Sequence, residues 1–382
     1  MIHHFLLFQR LKQLHFVAQY LLRYMYLVFN YPVVSINCLL NIIMNKSLLL
    51  LLFVSAVLTR ENDATHTSTL KPTLYNINSA PLYFEKFMSQ YNKHYKNEDE
   101  KKYRYNIFRH NIESINQKNS RNDSAVYKIN RFADMTKNEV VIRHTGLASG
   151  GELGLNFCET IVVDGPGQRQ RPTTFDWRNL NKVTSVKDQG MCGACWAFAG
   201  LGALESQYAI KYDRLIDLSE QQLVDCDKVD MGCDGGLIHT AYEEIMRMGG
   251  VEQDFDYPYR AQRQPCALKP HKFAAGVRSC YRYMLLNEER LEDLLRHVGP
   301  IAIAVDAVDL TDYYGGIVSF CENNGLNHAV LLVGYGVENN VPYWILKNSW
   351  GSDYGENGYV RVRRGVNSCG MINELASSAQ VA

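Results

Sequence analysis

The chain of 382 residues lacks several features that would place it in other classes of protein. Its 40 basic and 40 acidic residues cancel, so no charge surplus favours nucleic acid or a polybasic membrane contact. It has no internal repeat and no low-complexity tract, and the apolar run from Ser47 to Leu58 falls short of the roughly 20 residues of a membrane span. The Cys-x-x-Cys pair of Cys192 and Cys195 has no second pair of matching spacing, which argues against a zinc site. We therefore expect no metal, no cofactor, no nucleic-acid partner and no stable membrane contact.

What the chain does have is cysteine, unevenly distributed. Eight of the ten cysteines lie between Cys192 and Cys369, with Cys158 before them and Cys38 near the start. Apolar residues make up 46% of the chain and charged residues 21%, which is ordinary for a globular protein. The cysteine density, together with an apolar leader, predicts disulfides and an oxidising compartment.

That leader begins at an internal methionine. Residues 44–59 have a basic start, an apolar core and small residues at the end, which is the layout of a secretory signal peptide. Two interpretations of residues 1–43 stay open: translation starts at Met44, which we prefer, or a genuine N-terminal extension turns the apolar segment into a signal-anchor. A signal peptide predicts entry into the endoplasmic reticulum, followed by secretion or delivery to a lysosome-like compartment.

Between the leader and the cysteine-rich part, the sequence predicts a helix from Pro81 to about Asn119. Polar and apolar residues recur there every three or four positions and share one helical face, which on spacing alone is typical of a solvated amphipathic helix. Glycine and proline then accumulate between residues 146 and 172, which indicates an exposed linker open to proteolysis. We place a processing boundary near residue 171.

The most informative segment is Gln189–Trp196. Cys195 opens a long apolar stretch without proline, which predicts a buried helix with a thiol at its N-terminus. The unpaired N–H groups and dipole there favour an anion and so lower a thiol pKa, as nucleophilic catalysis requires. His328 precedes an apolar strand pattern and Asn348 ends another, an order expected of a Cys-His-Asn hydrolase. The alternative for Cys192 and Cys195 is a redox pair, but no βαβ context accompanies them.

Two upstream motifs give the chain a family resemblance. Six residues of the predicted helix resemble the Glu-Arg-Phe-Asn-Ile-Asn motif of cathepsin L-like propeptides in the papain family: Glu100, Arg104, Phe108, Asn111, Ile115 and Asn119. A second propeptide motif is matched by Asn130, Phe132 and Asp134, with Lys128 replacing its glycine. The resemblance covers residues 80–382, and several segments of the cysteine-rich part are similar to the viral cathepsins of baculoviruses.

The resemblance implies an α+β fold. A mainly helical lobe and an antiparallel, barrel-like lobe would face each other across a cleft, preceded by a helical inhibitory propeptide. Residues 60–170 would be the propeptide and residues 171–382 the mature peptidase domain, with the helices near 190–290 and the strands near 295–370. Ser219–Gln222 is typical of a helix-capping box.

Catalytic roles follow from the chemistry and the resemblance together. Cys195 would attack the peptide carbonyl, His328 would stabilise the thiolate and protonate the leaving amine, and Asn348 would orient the imidazole. Gln189 would donate to the oxyanion together with the N–H of Cys195. Trp350 would cover the bond between His328 and Asn348.

The substrate groove is expected next to a cysteine. Gly235 and Gly236 follow Cys233 and would let a substrate backbone pair as an added strand. Family position assigns five apolar residues to the pocket for the second residue before the cut: Leu237, Ile238, Ala304, Leu326 and Ala329. Glu374 either lies at the floor of this pocket, where it would accept arginine, or is an exposed carboxylate.

The family pattern also implies three disulfides. It pairs Cys192 with Cys233, Cys226 with Cys266, and Cys321 with Cys369. Cys280 is then left over, and we expect it to be a buried free thiol. The less favoured alternative pairs it with Cys158 of the propeptide, which would tether the propeptide after cleavage.

We therefore predict a cysteine endopeptidase made as a zymogen, acting as a monomer on protein substrates and inhibited by its own propeptide. The resemblance to viral cathepsins adds degradation of host tissue late in infection and a viral chitinase as partner. The alternative from another class is a catalytically silent homologue that binds peptides or inhibitors. Asn122 is a candidate glycosylation site.

Overall fold

The computed structural model describes residues 71–121, 123–148, 157–165, 171–321, 325–374 and 376–382. The extension at 1–43, the leader at 44–59 and the glycosylation site at Asn122 lie outside these residues and stay predictions. Within them, no helix combines the length and the apolarity that crossing a membrane would take.

The N-terminal part is helical, as predicted, but the helix expected from Pro81 to Asn119 is interrupted between Gln90 and Glu98. It contains a 3₁₀ turn at Ile77–Ser79, helices α1 (Ala80–Gln90), α2 (Glu98–Asn119) and α3 (Lys137–His144), and two short strands, β1 (Val126–Tyr127) and β2 (Glu159–Val163). The Asn97 side chain caps α2, and Thr136 and Glu139 form a reciprocal capping box on α3. These caps satisfy backbone donors that the first turn leaves unpaired.

The motif face of α2 is an interior face, so the prediction of a solvated helix from spacing alone is wrong. Phe108 is fully buried, Arg104 binds the Glu139 carboxylate at 2.9 Å, and the Asn111 amide donates to the carbonyls of Ala133 and Met135. These side chains therefore hold the loop between β1 and α3 against the helix.

The remaining helices lie in the cysteine-rich part: α4 (Cys195–Tyr212), α5 (Glu220–Cys226), α6 (Ile238–Met248) and α7 (Glu289–Val298). Helix α4 is buried along most of its length, which explains its lack of charged residues in the first two turns. Ser219 caps α5, but the Gln222 side chain binds the Gly250 carbonyl and the Glu252 N–H instead of returning to the cap. The predicted capping box is therefore one-sided.

The strands of this part are β3 (Phe175–Asp176), β4 (Val251–Glu252), β5 (Phe273–Ala275), β6 (Val277–Leu285), β7 (Ile301–Val305), β8 (Tyr313–Gly315), β9 (Ile317–Val318), β10 (His328–Glu338), β11 (Val341–Lys347), β12 (Tyr359–Arg363) and β13 (Ala376–Val381). The main sheet has the order β2-β6-β13-β7-β10-β11-β12-β9, with β3 added beside β10. Its pairs are antiparallel except β12 with β9 and β2 with β6. Two small sheets pair β1 with β8 and β4 with β5.

One apolar core joins the helices to the sheet. Leu201 and Ala203 of α4 belong to the same buried cluster as Leu331 and Val333 of β10 and Ala379 of β13. Because α4 starts with Cys195 and β10 starts with His328, this packing brings both residues to the same end of the interface. The fold thereby positions the predicted site.

The structure contains the three disulfides expected from the family pattern, Cys192–Cys233, Cys226–Cys266 and Cys321–Cys369. It also contains a fourth, Cys158–Cys280, so the prediction of a free thiol at Cys280 is wrong. The reason is topological. Strand β2 runs parallel to β6 with Glu159 opposite Tyr281, which places the preceding residues beside each other with a Cα–Cα distance of 4.6 Å. The cysteines are 122 positions apart in sequence, so spacing gave no sign of this pairing.

The disulfide pattern predicts a thiol count. Alkylation of the denatured, unreduced zymogen should label Cys195 and no other cysteine within residues 71–382, because Cys195 is the free cysteine of the described residues. Peptide mass spectrometry reads the label out, and the Cys195→Ala variant, which should carry none in this range, is the control. Label on Cys280 would contradict the fourth disulfide.

Candidate active site

Cys195 is the first residue of α4, and its sulfur faces β10. The preceding Ala194 offers no side-chain cap, so the N–H groups of the first turn are not satisfied by a capping residue. The Ala329 N–H donates to the Cys195 sulfur at 3.3 Å. One backbone group thus connects the thiol directly to the strand that carries His328.

Burial dominates the acidity of this pair. The pKa of the fully buried Cys195 thiol is raised to about 12 by desolvation, which outweighs the lowering by the backbone N–H groups of Ala329, Trp196 and Cys195. Burial likewise lowers the pKa of His328 to about 4, against the raising effect of its bond to Asn348. The helix N-terminus alone predicts a lowered thiol pKa. In the structure burial raises the thiol pKa instead, so the neutral forms of Cys195 and His328 are both favoured.

The imidazole of His328 is fixed on one side only. Its Nε2 and the Asn348 side-chain oxygen are 2.8 Å apart, whereas Nδ1 is buried without a hydrogen-bond partner among the described residues. The Trp350 indole stacks on the imidazole with ring centroids 4.8 Å apart and is itself fully buried. Nδ1 is therefore the nitrogen left to exchange a proton with a neighbouring group.

Gln189 is held by contacts on both ends of its side-chain amide. The nitrogen donates to the carbonyls of Thr145, at 3.2 Å, and Cys192, at 2.9 Å. The Ser349 hydroxyl donates to the amide oxygen at 2.6 Å, and the Gln189 N–H donates to the Ser349 carbonyl. Sequence reasoning missed Ser349, although its place between Asn348 and Trp350 was a signal. Its hydroxyl orients the amide so that the nitrogen faces a carbonyl of the upstream segment.

That upstream segment lies along the two glycines predicted to receive substrate. Gly236 donates to the Gly146 carbonyl and accepts from the Ala148 N–H, each at 3.0 Å, so that Leu147 sits opposite Gly236 in a parallel bridge. A Cβ on Gly236 would lie 2.6 Å from the Trp196 ring, and Gly235 has φ +120°. Both positions therefore exclude other residues, as close backbone approach requires.

The predicted pocket residues divide into those that are buried and those that are not. Four are buried: Leu237, Ile238, Ala304 and Ala329. Ala304 and Ala329 face each other across β7 and β10, and Leu147 packs against the cluster that contains Ile238 and Ala329. Leu326 is half-buried.

Glu374 differs from the other predicted pocket residues. Its side chain is exposed, and partial desolvation raises the pKa of its carboxyl. A raised pKa fits a carboxylate at the edge of an apolar surface, so both interpretations of Glu374 stay open.

The second propeptide motif, around Asn130 and Phe132, covers the same site. The Phe132 ring meets the Trp350 ring edge-on at 5.2 Å, and Arg131 binds the Asp188 carboxylate and the Trp350 carbonyl. His144 lies beside Phe132, and its carbonyl accepts from the Trp350 indole N–H at 2.7 Å. Residues 131–148 therefore close the site over both the catalytic candidates and the glycines. In the described part of the chain, no three His, Cys, Asp or Glu side chains come together as a metal site would require.

Family comparisons agree with both halves of this arrangement. Residues 171–379 match the family described as papain family cysteine protease, and residues 84–140 match the cathepsin propeptide inhibitor domain (I29). The chain is 86% identical over 339 residues, 89% of its length, to the whole of the viral cathepsin of Mamestra configurata nucleopolyhedrovirus. It is 58% identical over 307 residues to the viral cathepsin of Antheraea pernyi nuclear polyhedrosis virus, covering 80% of this chain and 94% of that protein.

Solved structures give the same result for the fold. Procathepsin L2 from the larval midgut of Tenebrio molitor aligns with a TM-score of 0.72 at 34% identity, over 79% of this chain and 99% of that one. The recombinant stem bromelain precursor aligns with a TM-score of 0.70 at 38% identity, over 79% and 98%. These neighbours confirm the predicted α+β, papain-like fold with a helical propeptide before it.

The contact of Ser349 with Gln189 generates a prediction. Ser349→Ala removes the hydrogen bond to the amide oxygen and leaves the amide held through its nitrogen by the Cys192 carbonyl. We expect kcat to fall about tenfold, less than the 10²- to 10³-fold loss that follows removal of an oxyanion donor. Hydrolysis of a fluorogenic peptide by the matured enzyme measures this. Ser368→Ala removes another buried hydroxyl that has no partner in the described structure, and it should leave kcat unchanged. Equal losses in the two variants would mean that Ser349 acts only through stability.

Proposed function

This chain belongs to the papain family of cysteine proteases, and we propose that it is a secreted cysteine endopeptidase with a Cys195-His328-Asn348 site. It is made with a propeptide, for which we propose the bounds 60–170, leaving residues 171–382 as the mature enzyme. The observation that carries the proposal is the convergence of a free cysteine at the head of α4, an imidazole bound to Asn348, and the Gln189 amide aimed at a peptide carbonyl. Each of these is a part that acyl transfer needs.

In the proposed mechanism, loss of the propeptide exposes the site to water. Burial no longer penalises charge, so the thiol proton passes to Nδ1 of His328 and leaves a thiolate beside an imidazolium. The thiolate attacks the substrate carbonyl, whose oxygen gains the amide N–H of Gln189 and the backbone N–H of Cys195. The imidazolium then gives its proton to the leaving amine, and water hydrolyses the thioester.

Substrate is proposed to replace residues 145–148 in the groove. Thr145 places its carbonyl at the Gln189 amide, where the carbonyl of the cleaved bond would lie. On either side of Leu147, the Gly146 carbonyl and the Ala148 N–H bond to the N–H and the carbonyl of Gly236. The Leu147 side chain packs on the apolar cluster. Because Leu147 follows Thr145, whereas the pocket takes the second residue before the cut, a substrate must run in the direction opposite to residues 145–148. We infer that it bonds to the same N–H and carbonyl of Gly236 and places an apolar side chain against Ile238 and Ala329.

The rival function is a silent homologue that binds peptides without cutting them. Such a protein would need the groove but not the buried contacts of Asn348, Ser349 and Gln189 behind it. Their retention, with buried polar groups that are costly to leave unpaired, supports the enzyme.

The biological setting is proposed from the relatives. The viral cathepsins of Mamestra configurata nucleopolyhedrovirus and Spodoptera exigua nuclear polyhedrosis virus are each 86% identical to this chain. With the predicted leader, this supports passage through the endoplasmic reticulum and degradation of host tissue late in infection. The chitinase partner has no supporting contact or surface in the described residues and stays a prediction from resemblance.

Covalent labelling tests the proposal directly. After acid maturation, an epoxide thiol inhibitor should label Cys195 and abolish peptide hydrolysis, and Cys195→Ala should be neither labelled nor active. A silent homologue would bind the peptide without hydrolysing it. In a redox protein the inhibitor would label Cys192 as well as Cys195. Hydrolysis that survives in Cys195→Ala would refute the proposed nucleophile.

The burial of His144 leads to a prediction about how acid releases the propeptide. Burial, followed by the charge of Arg131, lowers the pKa of His144 to about 4 from an ordinary 6.5; Lys93 acts in the same direction and Asp188 against it. The docked propeptide therefore favours neutral His144. The propeptide's binding free energy keeps this full benefit above pH 6.5, where His144 is neutral whether docked or released. It weakens as the pH falls towards 4, because only the released His144 takes up a proton there. His144→Gln should move half-maximal processing to lower pH, since each unit of pKa difference is worth about tenfold in affinity.

The pH profile of processing, followed by gel densitometry, measures this shift. His110→Gln, a change at an exposed histidine of α2, should leave the profile where it is. A profile unchanged in His144→Gln as well would assign the acid trigger to other groups.

Glu374 predicts substrate preference. If its carboxylate reaches the pocket, Glu374→Ala should lower kcat/KM about tenfold or more for a fluorogenic peptide with Arg two residues before the cut, since an ion pair is lost. The matched peptide with Phe should be unaffected. Equal changes for the two peptides would place Glu374 outside the pocket.

A further inference from the structure

Residues 157–165 precede the predicted processing boundary, but they are built into the peptidase part. Strand β2 pairs with β6 along its whole length, from Glu159 opposite Tyr281 to Val163 opposite Leu285. Val163 is buried in the core cluster that contains Leu285 and Leu291. The segment therefore forms an edge strand of the main sheet.

Side-chain and covalent contacts reinforce this strand at its start. Cys158 is 4% exposed and bonded to Cys280, which is 1% exposed. The N–H groups of Phe157 and Cys158 donate to one carboxylate oxygen of Glu243, at 3.0 and 3.1 Å. Glu243 is a buried residue of α6, the helix whose first turn follows the substrate glycines.

The inhibitory segment is held quite differently. Residues 145–148 contact the groove through backbone hydrogen bonds and one apolar side chain, without a covalent bond. Only eight residues separate Ala148 from Phe157. A cut near residue 171 alone would leave the inhibitory segment tethered through Cys158, at an effective concentration in the millimolar range.

We propose that the mature enzyme is a two-chain molecule, in which a short peptide containing residues 157–165 stays bonded to the main chain through Cys158–Cys280. Two cuts produce it: one near residue 171, and one between Ala148 and Phe157, where the sequence reads Ser149, Gly150, Gly151. Each cut is a hydrolysis in which water adds hydroxyl to the new carboxyl end and hydrogen to the new amine, and the disulfide is untouched. This proposal rests on the proposed proteolytic maturation.

Intact-mass spectrometry of matured, desalted protein tests the proposal. Without reductant the mass should exceed that of the main chain by a peptide that includes Phe157–Gly165, and reduction should release that peptide. In the Cys158→Ser/Cys280→Ser double variant, the single cut near residue 171 should be sufficient for activity. The peptide of this variant should separate from the main chain on gel filtration. Masses before and after reduction of the wild type that differ only by the two hydrogens gained per disulfide, or the peptide found free in its filtrate, would overturn the two-chain structure.

A second arm keeps this result separate from failure of self-processing. The inactive Cys195→Ala zymogen is cut by a limited dose of a glutamate-specific protease, which can act after Glu152, and then by trypsin, which can act after Arg169 and Arg171. The peptide should stay with the main chain until reductant is added. Its release without reductant would overturn the proposal whether or not the wild type matures by itself.

Discussion

Helix α4 packs along strand β10, and the geometry of the site depends on this contact. The shared core of Leu201, Ala203, Leu331 and Val333 fixes the two elements side by side. The Ala329 N–H then meets the Cys195 sulfur, and His328 lies one residue away. Because interiors are close-packed, a shift in this core would separate thiol and imidazole together with their supports.

The propeptide covers this site. In the covered site burial raises the thiol pKa of Cys195 and lowers the imidazole pKa of His328, so the ion pair is not favoured. The propeptide also puts the Thr145 carbonyl on the Gln189 amide. A peptide carbonyl thus lies on the Gln189 amide while burial favours the neutral thiol of Cys195. In the proposed mechanism this combination would keep the zymogen inactive.

Residues 60–170 do not behave as one unit. Residues 131–148 cover the site through reversible contacts, among them Phe132 on Trp350 and Arg131 on Asp188. Residues 157–165 instead complete the sheet beside β6 and share a disulfide with it. Residues 157–165 therefore pack as part of the peptidase sheet, although they precede the proposed boundary near residue 171.

The sequence by itself determined the local elements and supplied the candidate site residues. The apolar stretch after Cys195 predicted α4, the runs at His328 and Tyr343 predicted β10 and most of β11, and motif spacing selected Cys195, His328, Asn348 and Gln189. These signals are local, since helix and strand periodicity and catalytic motifs are written in short segments.

Only the tertiary structure decided which distant groups meet. It paired Cys158 with Cys280 and placed the Ser349 hydroxyl on the amide oxygen of Gln189. It also buried the motif face of α2, which spacing alone assigned to solvent. It also reversed the expected pKa shift of Cys195, because that pKa depends on how completely other segments exclude water. Packing between segments far apart in the chain sets these properties, and no short stretch of residues encodes them.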